Sequence, residues 1–222
     1  MSVMTTDYLG VITAMRPGAV YSVEGVPWEE YEQLLEDLGE GYAVRIFYDR
    51  GRMEIMAPAF NHERPVKIMA ALVGEIRREL ELVIESAGAT TLREQMKDAG
   101  AEPDESFYVQ QAALIIGRDD LDLTHDPPPD LVIESDRTSS SLDKFPIYAA
   151  LGVPEIWRIK KKQLHVWTLD ADHYEASAFS RAFPFLSAET LNEFLTLGLR
   201  EGESAAARAF REWLRAHRSA AS

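Results

Sequence analysis

Acid, apolar strand, acid, then a run of hydroxyl side chains: the stretch from Pro127 to Ser141 constrains this chain more than any other. Pro127-Pro128-Pro129 cannot donate to a sheet ladder and makes a rigid entry. Leu131-Val132-Ile133 follows, and three apolar residues, two of them β-branched, suit a buried strand. Asp130 and Glu134 bracket the run, and Thr138-Ser139-Ser140-Ser141 then offers N-caps for a helix. Each carboxylate at the end of a buried strand must find a partner there, which is costly for a chain that needs only to fold. The arrangement points to a metal-dependent phosphodiesterase site.

The rest of the chain can support such a site. Its 222 residues, 46% of them hydrophobic, suit one α/β domain with extensions and exclude a disordered chain. The absence of cysteine rules out disulfides and thiolate metal sites and favours a reducing, cytoplasmic setting. Met1 to Gly10 lacks a basic segment followed by an apolar one, so no signal peptide is expected. No apolar run approaches the roughly 18 residues of a membrane span. The net charge of −14 works against broad non-specific attachment to DNA. It still permits a nuclease whose basic residues cluster or whose metal bridges the scissile phosphate.

Residues 1–40 read as an N-terminal lead with a short helix, in which Trp28, Tyr31, Leu34, Leu35 and Leu38 recur at helical spacing before Gly39 and Gly41. Residues 41–222 read as a single domain. It opens with a hairpin, Ala43–Tyr48 and Met53–Met56, turning at Asp49-Arg50-Gly51. A helix is expected from His62 to about Ser86, with Val66, Met69, Leu72, Val73, Ile76, Leu80 and Val83 as its apolar stripe and Gly88 closing it. Strands follow near Thr90–Glu94, Ser106–Gln110 and Leu131–Glu134, separated before the last by a polar loop. Next come a helix over about 140–151, the hairpin Val153–Ile159 and Gln163–Leu169, a polar loop, and helices over about 187–197 and 204–217. This order predicts an α/β fold: a mixed sheet flanked by helices, with an N-terminal hairpin extension, C-terminal helices and acids at the strand ends.

Strand geometry decides which acids can cooperate. Asp130 and Glu134 stand about 13 Å apart at a strand's rise, too far to share one magnesium ion, whose oxygen ligands lie at about 2.1 Å. Asp104 begins an earlier strand, and antiparallel pairing would bring the start of that strand beside the end of the later one. Asp104 and Glu134 are therefore the preferred pair, with Asp130 left as a turn or supporting acid. A phosphodiesterase also needs a cation to position water and stabilise charge on the phosphate. Asp136, rather than a lysine, stands two residues after Glu134, and the nearest lysine is Lys144, in the first turns of the next helix.

At this point the residues resemble a known family. The stretch "PPPDLVIESDRTSSSLDKFPIYAALGVPEIW", with "EPDESFYV" at 102–109, the Asn61-His62-Glu63 helix start and the hairpin around Gly51, is similar to the Uma-type restriction endonucleases. These belong to the PD-(D/E)xK nuclease superfamily and are abundant in cyanobacteria. The resemblance covers about residues 40–217. It implies a restriction-endonuclease-like α/β core, dependence on a divalent metal (Mg²⁺, with Mn²⁺ as a substitute), and phosphodiester hydrolysis in DNA. By position, Asp104 or Asp130 stands for the first acid and Glu134 for the second. Lys144 would be a lysine displaced from its usual strand position, where this chain has Asp136, and Glu75 the helix acid that some members add.

Other signals are plainer. His62 suits a helix cap, though it could neighbour the metal site; His125 suits a solvated loop. His165 and His173 look too isolated for a metal cluster, and Lys160-Lys161-Lys162 reads as a solubilising hairpin tip. The first expectation is thus a Mg²⁺-dependent DNA endonuclease, with a homodimer supplying one site per strand. A catalytically inactive nuclease-fold module that binds metal or nucleic acid is the alternative. A glycosidase with two acids flanking a cleft is the third reading.

Overall fold

In a computed structural model, the described residues are 7–39, 44–136 and 142–217. In chain order they form α1 (Tyr8–Ala14), β1 (Val20–Glu24), α2 (Trp28–Leu38), β2 (Arg45–Asp49), β3 (Arg52–Met56) and α3 (Phe60–Leu80). Short strands follow: β4 (Glu85–Ser86), β5 (Leu92–Glu94), β6 (Ala99–Ala101) and β7 (Glu105–Tyr108). After α4 (Ala112–Ile115) come β8 (Leu131–Ser135), α5 (Phe145–Leu151), β9 (Glu155–Lys160), β10 (Gln163–Asp170), β11 (His173–Ser177), α6 (Ala188–Glu201) and α7 (Glu203–Ala216).

The strands make two sheets. One runs β1-β3-β2-β6-β5 and is antiparallel; the other runs β11-β10-β9-β8-β7-β4 and is mixed, with β8 and β9 parallel. The expected hairpin forms between β2 and β3, and both turn residues, Arg50 and Gly51, have positive φ, as a type I′ connection requires. The segment read as a lead is tied in, because β1 pairs with β3 along its whole length. Tyr31 of α2 lies so close to Gly100 of β6 that no Cβ would fit there, which explains the glycine in a strand too short and small for sequence patterning to mark.

Strand β8 is the hinge of the packing, buried along its length. Alternation sends Leu131 and Ile133 into a core with α3, α6 and α7, while Val132 turns to α5 and the first sheet. Helix α5 is therefore held between the two sheets, touching β2, β5, β6 and β11.

Several expectations shift. Helix α3 ends at Leu80, where Glu81 adopts the left-handed conformation; Val83, placed on its stripe, is exposed. Gly88 is a turn residue after β4, not the closing residue of that helix. β11 occupies part of what reads as a polar loop, because its outward face is polar and Tyr174 is its buried residue. The helix expected from about residue 140 starts at Phe145, and the predicted capping by Thr138–Ser141 lies outside the described residues. Among the described residues, no helix is long and apolar enough to cross a membrane.

Candidate active site

Pairing of β7 with β8 is antiparallel, with Glu105 opposite Ile133. Extending that register by one residue sets Asp104 opposite Glu134, and facing residues of an antiparallel pair project to the same side. The Ser135 amide donates to Asp104 Oδ2 at 2.8 Å, which fixes the carboxylate at this spot. Both acids are almost wholly buried. The parallel partner β9 places Arg158 beside Glu134.

Lys144 arrives from the opposite layer. It is the N-cap residue of α5, with Pro146 in the first turn and a left-handed Gly152 closing the helix. Its ammonium donates to Glu134 Oε2 at 2.6 Å and lies 3.9 Å from the centre of the Phe47 ring on β2. Tyr148, one turn further, shares the same helix face and donates its hydroxyl to Glu134 Oε1. Just before Lys144, the Leu142 amide donates to Glu54 Oε2 of β3 at 3.3 Å, so the first sheet helps to seat the lysine.

Helix α3 contributes the third side. His62 is buried, and its Nε2 lies 3.1 Å from Asp104 Oδ1 and 3.0 Å from Oδ2. It is not the cap of its helix; Ala59 holds that position. The ionised carboxylate can only accept, so Nε2 carries the proton. Arg45 of β2 approaches from beyond, with Nε 4.0 Å from Asp104 Oδ1 and Nη2 3.9 Å from Glu63.

These neighbours set the charge states. Burial pushes the Asp104 carboxyl up, but the His62 hydrogen bond, the Lys144 charge and the Ser135 amide outweigh it and hold the group below the usual aspartate range. Burial pushes Glu134 up to about 7 despite the pull of Lys144, and the nearby Asp104 charge adds to the rise. For Lys144 burial acts downward, yet the facing carboxylates win and keep it above its ordinary value, hence cationic. The result is two acids of opposed tendency around one buried ammonium.

Asp136, two residues after Glu134, accepts from Arg158 Nε at 2.6 Å, and that guanidinium stacks 4.5 Å from the Phe145 ring. Glu134, Asp136, Lys144, Phe145, Tyr148, Ile156 and Arg158 surround a crevice with no room for even a water molecule. It is too tight for a sugar ring, so nothing in this geometry favours the glycosidase reading.

Two predicted site acids stand apart. Asp130 accepts from the Val109 amide at 2.7 Å and the Gln111 amide at 3.0 Å, so it ties down the turn after β7. Glu75 lies thirteen residues beyond His62 on α3, about 20 Å at a helix's rise. There Arg211 of α7 and Arg78 grip it at 2.7 and 2.5 Å. The Arg211 hydrogen bond leads the effects that lower its pKa. The acid that α3 does bring near Asp104 is Glu63, and the reason is helical position: it adjoins His62. Sequence reading sees Tyr148 in the helix's Lys-x-x-x-Tyr pattern but gives it only an apolar contact role, and it assigns no site role to Arg45 or Glu54. His173, read as isolated, does gather with Asp170 and Glu175, because the β10–β11 turn folds the three together; all are exposed.

Asp104 and Glu134 are hard oxygen donors on facing positions, the donor type a divalent cation takes. The Lys144 ammonium already neutralises the pair at Glu134, so a cation held by both acids would have to displace it.

Two buried acids at facing strand ends and a lysine from the next helix thus meet within one α/β fold. A model of the family described as "Uma2: Putative restriction endonuclease" matches residues 28–200, and the chain belongs to that family. A crystal structure of a "putative nuclease belonging to DUF820" from Anabaena variabilis ATCC 29413 is similar at 18% identity and a TM-score of 0.46, over 68% of this chain and 90% of that one. No curated protein matches the chain.

Proposed function

We propose that the protein is a divalent-metal-dependent DNA endonuclease. Asp104 and Glu134 hold the ion, Mg²⁺ or in its place Mn²⁺, and Lys144 is the catalytic cation. The observation that carries this reading is the convergence of Asp104, Glu134 and Lys144 from three different elements on one buried spot. When bound, the ion would supply positive charge to the phosphate and a nucleophilic water at neutral pH. The chain's own residues prepare that role. His62 and the Ser135 amide keep Asp104 ionised and aimed. Tyr148 and Lys144 orient Glu134, which must be ionised to serve. Lys144 stays protonated, so it neutralises charge at the phosphate instead of accepting a proton. Cutting both strands of a duplex asks for two such sites, hence a homodimer, and the cysteine-free chain suits the cytoplasm.

A second reading has its own support. Both Glu134 oxygens are engaged by Lys144 and Tyr148, and the chain carries a net charge of −14, as suits a nuclease fold kept for binding without cleavage. Supercoiled plasmid incubated with Mg²⁺, Mn²⁺ or EDTA separates the two. The endonuclease reading expects nicking and linearisation with metal, abolished by Asp104→Asn and Lys144→Ala. Metal binding without cleavage of any DNA would favour the binding module.

A further inference from the structure

Arg45 is poorly satisfied for so enclosed a cation. Its side chain is 17% exposed, yet its Nε is buried and has no hydrogen-bond partner among the described residues. Its distances to Asp104 and Glu63, 4.0 and 3.9 Å, are too long for hydrogen bonds, and Nη1 reaches only the Val44 carbonyl at 3.4 Å. Across from it Glu63 Oε1 is likewise buried and without a partner. Native proteins leave few such atoms unpaired, and a pair of them flanking one acid asks for an explanation.

The other cations at the site are committed. Lys144 donates to Glu134 at 2.6 Å, and Arg158 to Asp136 at 2.6 Å. Arg45 is held near Asp104 by charge alone, with most of its planar fork of donors unspent apart from the long Nη1 bond to Val44. Phosphate oxygens match such a fork, bidentately and with charge assistance. Fixed donors of this kind act most strongly where charge develops during phosphoryl transfer.

We infer that Arg45 is a substrate-binding residue that takes a non-bridging oxygen of the DNA phosphate next to Asp104, with Glu63 as the loose counter-ion that keeps the guanidinium aimed and available. This inference rests on the nuclease reading for the identity of the phosphate, and it can fail or hold separately from cleavage.

The test uses the full chain labelled at arginine nitrogens, a single-stranded deoxyoctanucleotide as probe, and Ca²⁺ to hold turnover down. Addition of the probe should shift the Arg45 Nε–Hε resonance saturably. Arg45→Ala should bind the oligonucleotide at least tenfold more weakly, with Arg45→Lys in between. In Mg²⁺, plasmid cleavage by Arg45→Ala should fall about 10²- to 10³-fold, the usual effect of losing one transition-state donor. Thermal melts of each variant guard against loss of fold. An Arg45 resonance that never moves with oligonucleotide overturns the inference, whether or not the protein cleaves DNA. So does an Arg45→Ala that melts like the wild type and binds the probe within twofold of it. A shifted resonance in a protein that cleaves nothing would keep Arg45 as a phosphate ligand while the endonuclease reading falls.

Discussion

The two ends of β8 carry one acid each, and they are treated in opposite ways. Asp130 spends its carboxylate in the turn after β7, one oxygen on the backbone amides of Val109 and Gln111 and the other on the Gln111 side-chain amide at 3.3 Å. Glu134 spends its own on side chains, the Lys144 ammonium and the Tyr148 hydroxyl, brought from a helix in another layer. A carboxylate whose partners all belong to the one turn it closes is committed to structure, because releasing it would strand buried donors. One bound by an ammonium and a phenol keeps the choice of partner, which chemistry requires. At the two ends of β8, partner type, more than burial, separates the supporting acid from the one proposed to react; Asp104, with one backbone amide and the His62 ring as partners, stands between them.

Replacing Glu134 by Ala should have the largest effect. It leaves Lys144 buried without its ion-pair partner, a change that costs about 3–5 kcal/mol, and it removes cleavage altogether; urea unfolding and plasmid assays measure the two. Asp130→Ala should cost less, about 1–3 kcal/mol for buried donors left unpaired. Cleavage per folded molecule should stay at the wild-type level, and a selective loss of cleavage there would break the contrast between the two ends.

Titration sharpens the same contrast. Glu134 is pushed up to about 7 chiefly by burial, and it must lose its proton to hold a cation. Divalent-ion affinity should therefore rise as pH increases through about 7 and level off above, as measured by calorimetry. The stability linkage has the reverse sign. A carboxyl whose folded value is raised stabilises the fold below its unfolded value, and that contribution is lost as pH rises through about 7. Tyr148→Phe removes a hydrogen bond that favours the ionised form, so the affinity midpoint should move to higher pH, at a cost in stability of about 1 kcal/mol. The smallest effect belongs to Glu75→Gln. Its partner Arg211 is partly exposed, so stability should drop by no more than about 1 kcal/mol, with metal affinity unchanged.

Much of the frame was readable from residue order. The β2–β3 hairpin, β8 and the α5–β9–β10 succession announce themselves through Gly51, the apolar run 131–133 and Gly152. The choice of Asp104 over Asp130 as neighbour of Glu134 followed from the length of a strand, and the β7–β8 register agrees with it. What escaped depended on the meeting of distant layers. Neither β1 nor β6 has an alternating pattern: one is half-exposed, and the other is three small buried residues with Gly100 pressed by Tyr31. The partners of Asp104 come from residues 45 and 62, and the seat of Lys144 from residues 47 and 54, with no local spacing to betray them. Glu75 misled for the same reason, since the arginine that claims it lies 136 residues later.

The central claim is that the Glu134 end of β8 is the reacting end. Plasmid cleavage in Mg²⁺ by the wild type, Glu134→Gln and Asp130→Asn, each normalised to its folded fraction, addresses it most directly. The account predicts cleavage by the wild type and by Asp130→Asn, and none by Glu134→Gln. Cleavage that survives in Glu134→Gln, or is lost in Asp130→Asn alone, would contradict it.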